Sequence, residues 1–117
     1  MKSGLLAPDT SKDSCPVMYC LSVIGGKWKP VILFCISNGV DRFGAMQRAV
    51  PGITKQMLTK QLRELEGDGL ITRTVFAEVP PRVDYALTDI GSSVLPVIEK
   101  MADWGNANMK ERPFAAT

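Results

Sequence analysis

"TKQMLTKQLRELEGDGL" occupies residues 54–70. Leu58, Leu62 and Leu65 fall at i, i+4 and i+7, the spacing of one buried stripe on an α-helix. The opposite side carries Lys55, Gln56, Thr59, Lys60 and Arg63. Acidic residues are absent from Thr54 to Arg63 and begin only at Glu64, followed by Glu66 and Asp68. Thr54 is placed to cap the helix, and Gly67 and Gly69 to stop it. The N-terminal half is therefore positive at the end where the helix dipole already favours anions. Side chains of this kind bond phosphates or base edges: Gln suits adenine, Arg and Lys suit guanine. The same face also fits an ordinary solvated helix, because Lys and Gln are good helix formers. The flanking sequence decides between the two.

Upstream, "DRFGAMQRAVPG" (41–52) gives a short extended step at Arg42-Phe43, then a short helix ending before Pro51-Gly52. The link "AVPGI" is a short turn of the kind that joins paired helices. Downstream, "LITRTVFA" and "RVDYALT" are rich in β-branched and aromatic residues, with "EVPP" between them. That predicts a two-stranded hairpin with a proline-stiffened tip. Val83, Tyr85 and Leu87 share one face of the second strand, whereas the first alternates poorly and leaves its register open. Helix, turn, helix, hairpin is a winged helix-turn-helix, mainly α with a small β-hairpin. In that motif the second helix enters the major groove of double-stranded DNA. Arg73 and Arg82 would serve the wing as phosphate or minor-groove contacts. Arg42 and Arg48 fit either the DNA backbone or solvent.

Further out, "SCPVMYCLSVIGG" starts a helix at Pro16, with Ser14 or Cys15 before it and Gly25-Gly26 at its end. Val17, Leu21 and Ile24 recur at helical spacing. "KWKPVILFCISNG" is a second apolar helix with Pro30 in its first turn, closed by Asn38-Gly39. Trp28 reads as core, the alternative being a ring that stacks on a ligand. Lys27 and Lys29 read either as surface charges or as phosphate contacts at a helix start. Cys20 and Cys35, beside apolar neighbours, read as small buried hydrophobes, and Met18, Met57 and Met101 as packing. After a Thr88-Asp89 cap comes one long final helix, kinked at Pro96. Its seam of Ile90, Val94, Val97, Met101 and Trp104 is spaced four, three, four and three. That is more apolar surface than so small a domain needs for its own core. The first and last helices are thus expected to form a homodimer interface through Val17, Leu21, Val94, Val97, Met101 and Trp104.

The whole chain has 117 residues, enough for one core. The expected organisation is a flexible arm at 1–13, the winged domain with its dimerisation helices at 14–112, and a tail at 113–117. A net charge of +2 and a pI near 8.5 permit a nucleic-acid partner, and the location of the basic residues decides. No apolar run reaches the length of a membrane span, and the N-terminus does not read as a secretory signal. Three cysteines point to a reducing cytoplasm rather than a disulfide scaffold. Without His, and without C-x-x-C, dinucleotide-binding, Walker or nucleophile-elbow motifs, neither metal, cofactor nor enzyme activity is expected. A winged helix that binds only protein, or a thiol enzyme built on Cys15, are the rival readings. The acid-free face argues against the first, and the lack of a His base against the second.

The segments "IGGKW", "MLTKQLRELEGDGLITR" and "EVPPRVDYALTDIG", with "CPV" ahead of them, together resemble the HxlR family of bacterial and archaeal winged-helix transcriptional regulators. The resemblance spans roughly residues 14 to 105. It implies a homodimeric DNA-binding repressor or activator, with its dimer built from the first and last helices. Thr54 to Gly67 would be the recognition helix and Arg73 to Arg82 the wing. Some members of the family sense oxidants, electrophiles or quinones through a cysteine at the "CPV" position, which makes Cys15 a candidate redox sensor. Others with that cysteine respond to different signals, so the effector stays open. The helix start itself favours a thiolate at Cys15. The alternative is a structural cysteine at the dimer surface.

Overall fold

The computed structural model describes residues 15–109. The elements run α1 (Pro16–Ile24), α2 (Lys29–Ser37), α3 (Phe43–Ala49), α4 (Lys55–Gly67), β1 (Ile71–Phe76), β2 (Arg82–Leu87), α5 (Asp89–Ser93) and α6 (Leu95–Asn108). The arm expected at 1–13, the alternative cap Ser14 and the tail at 113–117 lie outside the described residues.

The core gathers where the leucine stripe of α4 meets α2 and α3. Leu58, Leu62 and Leu65 are buried against Ile32, Leu33, Ile36, Met46, Val50 and Ile53. Each such side chain contributes about 1.5–3 kcal/mol through its removal from water. Thr54 caps α4 as expected, its Oγ1 accepting the Met57 N–H at 3.1 Å. The helix ends at Gly67, and Gly69 then turns the chain at φ +81°, which glycine adopts without cost. From there β1 and β2 pair antiparallel, Ile71 opposite Leu87 and Phe76 opposite Arg82. Only the base of β1 is buried, at Ile71. Thr72 to Val75 all project into solvent, which is why this strand shows no alternation. The extended step is confined to Arg42, which bridges Asp84 of β2, while Phe43 already belongs to α3.

The end of the chain differs from the expected kinked helix. The helix breaks at Val94, and Pro96 stands in the first turn of a new helix rather than in the middle of an old one. A proline lacks the N–H that a helix interior requires, and a helix start leaves that N–H without a partner anyway. Thr88 accepts the Gly91 N–H at 3.0 Å and donates to the Gly69 carbonyl at 2.6 Å, fastening α5 to the α4–β1 turn. Helix α6 then has two faces. Ile98, which stands outside the expected seam, is buried in the core, with Leu95 and Val94 packed beside it. Val97, Met101 and Trp104 point outward, Trp104 at 70% exposure.

Helix α1 is the least embedded element. Its Ile24 is buried, while Val17, Met18, Tyr19 and Leu21 are exposed. Among the described residues no single helix is long and apolar enough to cross a membrane. Helices α1 and α2 pass that test together, but they meet at 69° and α2 is the centre of the core.

Candidate nucleic-acid interface

Helix α4 stands on its leucines, so its other side is left to solvent. Lys55, Gln56, Lys60 and Arg63 are exposed and Thr59 is half-buried. These five line one shallow depression of about 490 Å³ together with Glu64. Thr54, at the tip, already spends its hydroxyl oxygen on the Met57 N–H, though it remains exposed. A second cleft of about 450 Å³ separates α4 from the wing, with Thr59, Arg63 and Glu66 on one wall and Arg73, Val83 and Tyr85 on the other. The two depressions share Thr59 and Arg63, so Lys55, Gln56, Thr59, Lys60, Arg63 and Arg73 form one continuous surface, with Thr54 outside it.

The remaining basic residues are distributed differently. Lys29 is turned inward: its side chain is 11% exposed and its Nζ lies 2.7 Å from Glu64 Oε1. The expectation that Lys29 contacts phosphate is therefore corrected, because a buried ammonium bound to a carboxylate is not presented to a ligand. Glu64 also lies 3.8 Å from Lys60. The hydrogen bond from Lys29 holds the Glu64 carboxyl below the usual carboxylate range, aided by the charges of Lys29 and Lys60. Lys27 sits over the Trp28 ring, 4.7 Å from its centre, and Trp28 is half-buried against the core. Arg48 is exposed in the last turn of α3, outside both depressions.

Arg82 is committed within the wing. Its guanidinium stacks 4.0 Å from the Phe76 ring centre, with Nη1 3.4 Å from Glu78 and Nε 3.4 Å from Asp84 Oδ1. Arg42 Nε approaches the same Asp84 oxygen at 3.3 Å. Neither approach to that buried oxygen has the angles of a hydrogen bond, so Coulomb attraction carries both. Arg82 thus stiffens the turn end of the hairpin, and Arg73 is the more accessible wing arginine.

The apolar surface lies apart from this face. Pro16, Val17, Leu21, Val97 and Met101 line a groove of about 460 Å³ between α1 and α6. Cys20 lies on its wall, and Cys15 caps α1 at 7% exposure. No disulfide joins Cys15, Cys20 and Cys35. Burial pushes the Cys35 thiol above its ordinary pKa, as expected of a packing residue.

A helix pair standing on a shared core, followed by a hairpin that flanks the second helix, defines a winged helix-turn-helix protein. Residues 23–113 match the HxlR-like helix-turn-helix family, and the chain belongs to it. It is 46% identical over 98 residues to the HTH-type transcriptional regulator YybR of Bacillus subtilis (strain 168), covering 84% of this chain and 78% of that one. The structure of the redox regulator HypR in its oxidized form is 47% identical, with a TM-score of 0.77, covering 80% of this chain and 97% of that one. Reduced YodB from B. subtilis is 32% identical with a TM-score of 0.68, covering 80% of this chain and 93% of that one.

Proposed function

We propose that this HxlR-type winged-helix protein is a cytoplasmic transcriptional regulator that binds an inverted-repeat operator as a homodimer. A single winged domain over residues 14–112 would carry both DNA binding and assembly. The observation that carries the reading is the outer face of α4, where Lys55, Gln56, Lys60 and Arg63 are exposed within a run that has no acidic residue from Thr54 to Arg63, and which adjoins Arg73. Gln56 and Arg63 would read bases, while Lys55, Lys60 and Arg73 would fix the register on phosphates. Lys27 and Arg48 would add backbone contacts at the margin. The outward stripe of Val97, Met101 and Trp104, with Val17 and Leu21 across the groove, would meet its copy in a second protomer, as a C2 interface requires. Two copies would then present two α4 helices to successive major grooves. Replacing Gln56 or Arg63 with Ala should reorder a panel of operator variants, by about 1–3 kcal/mol for a lost bidentate contact. An unchanged ranking in both variants would remove them from base reading.

Control through Cys15 is the second part of the reading, supported by the likeness to HypR, a redox regulator in both its solved forms. A thiol at the head of α1, beside the proposed dimer interface, is placed to change the angle between the two α4 helices when modified. Diamide or a quinone should alter operator affinity, and Cys15→Ser should abolish that response. Cys20→Ser and Cys35→Ser should keep it. A response that survives Cys15→Ser would move the control to a non-thiol effector.

A further inference from the structure

The α4 depression holds one carboxylate among five donor side chains, and its position is unusual. Glu64 bridges two ammonium groups: Lys29 from beneath, at 2.7 Å, and Lys60 on the surface, at 3.8 Å. Lys29 needs this partner, because an ammonium at the start of α2 is both buried and at the wrong end of the helix dipole. Lys60 does not need it, since its side chain is 71% exposed and would be solvated anyway. The contact to Lys60 therefore does little for folding and places a negative charge beside a cation of the proposed DNA face.

We propose that Glu64 attenuates phosphate binding by α4. Anchored by Lys29, its carboxylate partly neutralises Lys60 and restrains phosphate binding by α4, so that binding depends more on base contacts. Binding to random sequence comes almost wholly from phosphate neutralisation, whereas operator binding adds base readout. Restraining one phosphate contact therefore lowers both affinities by about the same factor, and it takes the larger share of the free energy from random binding, which has no base contacts to add. Glu64 acts through Lys60 and is not assigned a DNA contact of its own. The proposal rests on the reading of α4 as the DNA-binding helix.

The test compares the parent with the Lys29→Met/Glu64→Gln double variant, which removes the carboxylate without stranding a buried ammonium. Affinity for random duplex DNA is measured across a salt series. The double variant should bind random DNA more tightly, with a salt slope steeper by up to about 0.9, one added phosphate contact. Adding Lys60→Ala should remove that gain, which a merely structural role for Glu64 would not predict. A double variant whose slope matches the parent, or whose gain survives Lys60→Ala, overturns the proposal while leaving DNA binding by α4 intact. A parent with no salt-dependent DNA binding overturns both. A measurement on the parent alone guards against misfolding of the variant: the Lys60 side-chain carbon resonance should follow the titration of Glu64. A Lys60 resonance that stays fixed through that titration also overturns the proposal.

Discussion

Arg42 and Asp84 meet twice, once through a backbone bridge between the α3 entry and β2, and once through an Nε–Oδ1 approach of 3.3 Å. The adjacent Tyr85 N–H donates to the Asp41 carbonyl at 2.9 Å. These links fix the wing against the helix-turn-helix, so the cleft between Arg63 and Arg73 keeps its width. Asp84→Ala should leave Arg42 and Arg82 without their shared carboxylate. Amide exchange at Tyr85 should quicken while the Leu62 amide keeps its protection. DNA affinity should fall by about 1 kcal/mol for all sequences alike, the scale of a partly exposed ion pair. A Tyr85 amide as protected as in the parent would show that the wing does not depend on this contact.

Gly91 packs directly on the Leu70 carbonyl, leaving no room for a Cβ. That carbonyl also accepts the Thr88 N–H at 3.0 Å, so it cannot move without breaking the cap of α5. Gly91→Ala should cost about 1–3 kcal/mol, read as a lower denaturant midpoint. Gly67→Ala is the contrast: nothing lies near its would-be Cβ and its φ is ordinary. It should be neutral or stabilise by up to about 1 kcal/mol. Equal effects at the two positions would contradict the packing.

The two faces of α6 predict opposite phenotypes. Ile98→Ala should lower stability by about 2–5 kcal/mol through a core cavity. Trp104→Ala and Met101→Asp should leave the protomer fold intact and weaken dimerisation, with Trp104 the stronger determinant as a large aromatic. Sedimentation measures the second effect and chemical denaturation the first. Dimers of parental affinity in both surface variants would place the interface elsewhere.

Glu64 gives stability a pH signature. Its pKa is lower in the folded chain than in the unfolded one, so its contribution is complete above the ordinary carboxylate value of about 4.3. The contribution is lost as pH falls through the folded value. Glu64→Gln should therefore unfold at lower denaturant than the parent at pH 7, and the gap should narrow as pH falls through the lowered folded value. A gap that stays constant across the whole acid titration would mean that Glu64 matters by shape and not by charge.

The helices were readable where local chemistry suffices. Thr54, the three leucines and Gly69 fix α4 by themselves, and the glycine and proline signals bound α1 and α2. The wing register was not readable, because Thr72 to Val75 all face solvent and carry no burial signal. The role of Lys29 was not readable either. Its partner Glu64 is remote in sequence, and only the packing of α2 on α4 brings the two together. The same holds for Arg82, whose ring and carboxylates are gathered by the hairpin. Ile98 was hidden by a seven-residue seam that fits Val94, Val97, Met101 and Trp104, although Val94 and Ile98 stand four apart on the inward face. The break at Val94 followed from a proline whose place, helix interior or helix start, depends on where the preceding turn ends.

Whether two copies of α4 read DNA together is decided by methylation interference on a genomic binding fragment. Two symmetry-related clusters of major-groove interference are expected, centred about one helical turn, roughly 10 base pairs, or a multiple of it apart. Arg63→Ala should weaken both clusters equally. A single cluster, interference confined to the minor groove, or a pattern indifferent to Arg63 would contradict paired reading by α4.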